Sequence, residues 1–269
     1  MQKVSIVIPC YNQGSFLADA LDSVLNQTLP DWECIIVNDA STDNTETIAR
    51  SYTVKDKRFL YIKAPQNQGL AASRNLGIRH TTAPYILPLD ADDTLAPTFL
   101  EKTVAVLLHN KKCKVVYTDV QYFGERHETI SMNPVVIRNF IYTNQMVCTS
   151  LFTRKAYNRT LGYRTNLLYG YEDWDLWIQM LRKEAEVVHI SEPLFLYRQK
   201  AGSMYDSLRA DPLKNQAMLD QLLLNNPAFF RRMDPWGFFR RWDLLTNTHT
   251  SGLIKLERKI RVWIDRLGA

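Results

Sequence analysis

The chain has 269 residues, 46% hydrophobic and 23% charged, with 10 glycines and 11 prolines. That balance excludes a disordered, collagen-like or low-complexity chain and supplies a sizeable core for one large domain, or one domain with an extension. The net charge of +5 arises from 33 Lys and Arg against 28 Asp and Glu, and nine bases less four acids from residue 226 onward account for all of it. Residues 1–225 are therefore balanced, which argues against nucleic acid as a partner.

The four cysteines, Cys10, Cys34, Cys113 and Cys148, form no C-x-x-C pair and lie among apolar neighbours. This disfavours a zinc ribbon or a disulfide framework and predicts reduced thiols in a cytoplasmic protein. No run approaches the roughly 18 apolar residues of a spanning helix, and the apolar run from Val4 begins too near Met1 for a signal peptide.

In chain order, Val4 to Pro9 reads as a buried strand, and Phe16, Leu17, Ala20, Leu21, Val24 and Leu25 recur at helical spacing after the turn-prone Tyr11-Asn12-Gln13-Gly14. Trp32 to Val37 is a second strand. Ser41-Thr42-Asp43-Asn44 offers N-cap chemistry to a helix reaching about Tyr52. Phe59 to Ile62 predicts a strand, Gly69 to His80 a helix, Tyr85 to Leu89 a strand, Ala96 to Asn110 a helix and Val115 to Tyr117 a strand. The alternation predicts a doubly wound α/β fold with a parallel sheet, whose ligand loops lie at the strands' carboxyl ends. Neither G-x-G-x-x-G nor a P-loop motif is present.

Residues 119–170 are less regular, with a short helix near Pro134 to Phe140 and a strand signal at Val147 to Phe152. A helix is expected at Glu172 to Glu184 and strands at Val187 to Ile190 and Leu194 to Tyr197. From Ser207 the pattern is helical, broken at Pro227, Asp234-Pro235 and Ser251-Gly252. The expected organisation is one domain over residues 1–205, in two halves at 1–118 and 119–205, with a helical extension at 206–269.

Asp90-Ala91-Asp92-Asp93 follows the fourth strand. Read as extended chain, it sends Asp90 and Asp92 to one side and Asp93 to the other. Two such carboxylates suit Mg²⁺ or Mn²⁺, and equally a turn followed by a helix cap.

Four segments taken together resemble the family 2 glycosyltransferases of the GT-A fold. They are Val4-Ser5-Ile6-Val7-Ile8-Pro9-Cys10-Tyr11-Asn12, Ile36-Val37-Asn38-Asp39-Ala40-Ser41-Thr42-Asp43, Asn67-x-Gly69-x5-Arg74-Asn75-x-Gly77 and Leu89-Asp90-Ala91-Asp92-Asp93. The resemblance covers about residues 3–200. It implies a Rossmann-like, mostly parallel sheet, with Pro9 and Tyr11 lining the nucleobase pocket and Asp39 accepting from uracil. It further implies Arg74 near the base and phosphates, Asp90 on the ribose side, and Mn²⁺ or Mg²⁺ at Asp90 and Asp92. In Tyr171-Glu172-Asp173-Trp174-Asp175-Leu176-Trp177 it places the catalytic base on Asp173. Acids are also favoured in a helix's first turn, and Trp174 and Trp177 fit either core or a sugar platform.

The implied activity is inverting transfer of a sugar from a UDP-sugar to a glycan or lipid-linked glycan in cell-surface polysaccharide synthesis. A sugar-phosphate nucleotidyltransferase and a non-catalytic nucleotide-sugar-binding subunit are the alternatives. Two departures stand out: Tyr197-Arg198-Gln199-Lys200 has lysine where many members carry a metal-binding histidine, and the Q-x-x-R-W motif of processive members is absent. Lys200 suits direct neutralisation of the diphosphate, or simple solvation. The tail interleaves Phe229, Phe230, Trp236, Phe238, Phe239 and Trp242 with arginines. This fits peripheral contact of 226–269 with the inner face of an anionic membrane, or packing on the domain or in a homodimer.

Overall fold

The computed structural model describes residues 3–200, 202–238 and 241. The first half realises the predicted alternation: β1 (Val4–Cys10), α1 (Gly14–Leu25), β2 (Trp32–Asn38), α2 (Thr45–Lys55), β3 (Phe59–Lys63), α3 (Leu70–Arg79) and β4 (Tyr85–Pro88). Strands β3, β2, β1 and β4 lie side by side and parallel. The apolar runs of β1, β2 and β4 are buried on both faces: Ile6 and Ile8 pack with α1, and Val7, Ile35 and Val37 face α3. Helix α3 sits close to the sheet at Gly77, where a Cβ would fall 2.4 Å from Val7 Cγ1.

The second half departs from a simple parallel series. It comprises β5 (Thr94–Leu95), α4 (Phe99–His109), β6 (Val115–Gly124), β7 (Thr129–Ile130), β8 (Leu151–Thr153), α5 (Arg154–Tyr157), α6 (Glu172–Met180) and β9 (Val187–Gln199). Strand β8 lies between β4 and β6, antiparallel to both, so the expected strand at Val115 does not extend the parallel block directly. The sheet order is β3-β2-β1-β4-β8-β6-β9-β5, with β7 on β6. The two strands expected after residue 187 are one, β9, with a register shift opposite Thr118 and Asp119. Pro193 stands at that shift, consistent with its lack of a ladder donor.

The helix expected near Pro134 is a 3-10 turn at Ile137–Ile141, and α6 ends at Met180, earlier than its apolar pattern suggested. Leu108 in α4 is exposed. Beyond β9 come α7 (Met204–Ala210), α8 (Pro212–Asn225) and α9 (Pro227–Met233), the last two each opening on a proline. Phe229, Phe230 and Phe238 pack into the core cluster of the domain, whereas Trp236 is 85% exposed. Phe239, Trp242 and the break at Ser251-Gly252 lie outside the described residues. Among the described residues no helix is long and apolar enough to cross a membrane. All four cysteines are unpaired.

Candidate active site

The loops after β1 and β2 meet through backbone and short polar side chains. Asp39 N–H donates to the Cys10 carbonyl at 2.9 Å, and Asn12 N–H and Oδ1 bond Ser41 Oγ and Thr42 N–H. Asp43 accepts from Gly14 N–H at 2.8 Å and from Thr45 N–H at 3.0 Å, so one carboxylate serves the first turns of both α1 and α2. Among the described residues the non-glycine positions at positive φ are Asn12, Ala40 and Tyr171, and all three border the site loops. Such strain persists where surrounding bonds over-determine it.

Within this frame Pro9 is buried in β1 opposite Val37, and Tyr11 is 49% exposed at the strand's end. Asp39 is buried, its two oxygens accepting from Gln68 N–H at 3.0 Å and Gly69 N–H at 2.9 Å. Gly69 caps α3 at φ 87°, a conformation that favours glycine. Asp39 therefore ties the loop after β2 to the start of α3. Among the described residues it makes no bond to Arg74 or the acidic loop.

The acidic residues after β4 do not continue as extended chain. Asp93 N–H donates to the Asp90 carbonyl at 3.1 Å, closing a turn, so strict alternation does not govern where the side chains go. Asp93 is fully buried and accepts from Arg198 N–H at 2.8 Å. Burial, reinforced by Asp92 and Asp90, holds its carboxyl well above the ordinary carboxylate range. Asp90 Oδ1 faces Arg74 Nη2 at 2.6 Å, and Asp90 Oδ2 accepts from the Cys148 thiol at 3.4 Å. Asp92 Oδ2 faces Lys200 Nζ at 2.8 Å.

Arg74, only 1% exposed, joins the two acidic motifs: its Nη1 reaches Glu172 Oε1 at 2.5 Å. Glu172 thus serves the bridge, and Asp173 beside it is half-buried. Asp173 Oδ1 accepts from Trp174 N–H at 2.7 Å and Oδ2 from Asn144 Nδ2 at 2.9 Å. Desolvation first, then the charge of Glu172, pushes the Asp173 carboxyl up to about 7 against the pull of Arg74. A carboxylate tuned there can take a proton from a hydroxyl near neutral pH. The remaining acid, Asp175, is buried against Arg164 and Asn226 and fastens α6 to the C-terminal helices. Trp174 and Trp177 are core residues.

Asn144 was missed by sequence reasoning, because a single asparagine in an irregular loop carries no pattern. In the sequence Arg198 stands out only as part of the altered Tyr-Arg-x-Lys segment, yet its side chain stacks on Phe16 and Phe123 and bonds the Asp92 carbonyl and Asp19. A separate cavity of about 480 Å³, bounded by Arg159, Arg164, Arg182 and Arg232, lies at the other end of α6 and includes none of these site residues.

Residues 5–168 match the family described as glycosyl transferase family 2. The chain belongs to that family. EpsE of Bacillus subtilis is 33% identical over 208 residues, covering 75% of this chain and 74% of EpsE. The chondroitin synthase of Escherichia coli is 30% identical over 182 residues, covering 66% of this chain but only 26% of that larger protein. Among solved structures, Staphylococcus aureus TarS residues 1–349 in complex with UDP-GlcNAc superimposes with a TM-score of 0.69 at 16% identity, covering 93% of this chain and 74% of that one. The mannosyltransferase PcManGT of Pyrobaculum calidifontis, in complex with GDP-Man and Mn²⁺, gives a TM-score of 0.60 at 16% identity, over 97% and 82% of the two chains. These likenesses establish a GT-A fold for a member of a sugar-transferring family.

At the acidic loop, hard carboxylate donors stand beside two cations of the chain. Hard carboxylate oxygens are the right chemistry for a divalent ion, and one oxygen of each, Asp90 Oδ1 and Asp92 Oδ2, faces Arg74 and Lys200 respectively. Among the described residues no three His, Cys, Asp or Glu side chains cluster as metal ligands do.

Proposed function

We propose that the chain is an inverting transferase that moves a sugar from a UDP-sugar to a hydroxyl of a glycan or lipid-linked glycan, in the building of a cell-surface polysaccharide. The observation that carries this reading is the ion bridge Asp90–Arg74–Glu172, which joins the acidic loop at the donor edge of the sheet to the helix turn bearing Asp173. A half-buried carboxylate near neutrality beside a donor site is suited to general-base attack on the anomeric carbon. The acceptor proton passes to Asp173, the new O–C bond forms, and the bond to the diphosphate breaks with its electron pair leaving on UDP. One base and one displacement invert that carbon.

Tyr11, exposed at the end of β1, is available to stack on the base, and Asp39 retains lone pairs for a ring N–H beside its two backbone bonds. The UDP-GlcNAc bound by TarS supports a uridine donor, whereas the GDP-Man of PcManGT supports a guanosine one. Exposed Trp236 with Arg231 and Arg232 favours peripheral contact with an anionic membrane.

Calorimetric titration of UDP, GDP and CDP into the wild type and Asp39→Ala tests the donor. Selective UDP binding, weakened at least about tenfold in Asp39→Ala, is expected. Preference for GDP overturns the uridine assignment, and no nucleotide binding by folded protein overturns the transferase reading.

A further inference from the structure

Lys200 closes the acidic loop from the end of β9. Its Nζ lies 2.8 Å from Asp92 Oδ2 and 2.8 Å from Gln13 Oε1, and 4.5 Å from the centre of the Phe16 ring. The side chain is mostly withdrawn from solvent. It therefore bridges the loop after β1, which carries Tyr11, to the loop after β4.

The backbone leading to it is clamped. Arg198 N–H donates to buried Asp93 at 2.8 Å, Arg198 Nε to the Asp92 carbonyl at 2.8 Å, and Arg198 Nη2 to Asp19 at 2.6 Å. A freely solvated loop lysine would show none of this. Side-chain entropy opposes fixing a lysine, and here the ordering is supplied by a carboxylate, an amide and an aromatic face. An ammonium has three donors; Asp92 and Gln13 take two, leaving one for a ligand oxygen.

We propose that Lys200 is the resident cation of the donor site, held by Asp92 and Gln13 to neutralise the diphosphate, so that nucleoside diphosphate binding does not require a divalent ion. The inference rests on the donor reading above. As the anomeric C–O bond breaks, its electron pair and the new negative charge go to the terminal phosphate oxygen of UDP. Lys200 stays protonated and donates to that oxygen, while the acceptor proton resides on Asp173. A tethered single charge neutralises less than a divalent ion, but it is present at every turnover and does not exchange with solvent. The repulsion between Asp92 and an incoming diphosphate, which an unaccompanied carboxylate would impose, is cancelled in advance.

The test is calorimetric titration of UDP into wild type, Lys200→Met, Lys200→Arg and Lys200→His, each in EDTA and in Mn²⁺, with thermal melts to confirm folding. The wild type is expected to bind UDP with affinities in the two buffers agreeing within about threefold. In EDTA, Lys200→Met is expected to weaken binding by at least about tenfold and Lys200→Arg to retain most of it. In Lys200→His, UDP binding should become Mn²⁺-dependent, with a broadened Mn²⁺ electron paramagnetic resonance signal that the wild type does not produce. Wild-type binding that vanishes in EDTA and returns with Mn²⁺ overturns the proposal and leaves the donor reading standing. Equal UDP affinity of wild type and Lys200→Met in EDTA does the same. No UDP binding in either buffer removes both.

Discussion

Arg74 Nη1 stands 2.5 Å from Glu172 Oε1, spanning 98 residues of chain inside a site from which Arg74 is all but closed to solvent. With its other arm on Asp90 at 2.6 Å, this guanidinium is a strut between α3, the acidic loop and the first turn of α6. Its planar fork reaches two carboxylates at once, which an ammonium at the end of a flexible stem cannot do equally. Arg74→Met leaves Glu172 buried without its counter-ion and is expected to lower unfolding stability by about 3–5 kcal/mol in urea titration. Arg74→Lys should recover only part of that loss. Full stability in either variant would show that the bridge does not hold the two motifs together.

Gly77 supports the same helix from the sheet side. Its absent side chain lets α3 rest on Val7, Val37 and Ile35, and a Cβ there would lie 2.4, 3.1 and 3.2 Å from their methyl carbons. The neighbours are β-branched and sit in a closely packed core, so they have little rotamer freedom. Gly77→Ala is expected to cost about 1–3 kcal/mol in chemical denaturation. An unchanged midpoint would mean that α3 slides without resistance.

The parallel half was legible because every βα unit repeats two strong signals, a buried apolar run and a helical period, and the strands' ends fix where Tyr11, Asp39 and Asp90 emerge. Strand β8 was harder to place, since it holds its position through two residue pairs with β4 and two with β6, too few to leave a periodic trace. Of the two readings open for Asp90–Asp93, extended chain and turn, the backbone hydrogen bond from Asp93 to Asp90 selects the turn, because alternation does not persist past the last ladder bond. Arg74 was visible as part of a motif, but its bridging role depends on a partner 98 residues away. Lys200 was noticeable only as a departure from a pattern, and its bonds to Asp92 and Gln13 need the fold to bring β9 against β5.

With Asp173 as the proposed base, a single ionisation ties transfer to stability. Its folded pKa of about 7 lies above that of an exposed carboxyl, so protonated Asp173 contributes stability that is fully present below about pH 4 and is lost as pH rises through 7. An asparagine cannot ionise. The stability difference, wild type minus Asp173→Asn, is therefore expected to fall between pH 5 and pH 8 in parallel denaturation series. Transfer by Asp173→Asn should drop by at least about a hundredfold at pH 8. A difference that stays constant with pH would mean that Asp173 titrates as an ordinary surface acid.

Asn144 draws that ionisation toward lower pH. Its amide donates to Asp173 Oδ2 at 2.9 Å and so favours the charged form, opposing the upward push of burial and of Glu172. The wild-type kcat/KM for sugar transfer is expected to rise with pH and level off above about 7, because the base must be ionised in the free enzyme. Removing the amide in Asn144→Ala withdraws one charge-assisted bond, and the rising limb should move to higher pH by roughly one unit. Asn144→Asp places a second negative charge beside the base and should move the limb further in the same direction. On the alkaline plateau Asn144→Ala should retain most of the wild-type kcat/KM, since the base itself is intact. A lower plateau with an unmoved limb would assign Asn144 to shaping the pocket alone, whereas an alkaline shift identifies it as the residue that positions and tunes Asp173.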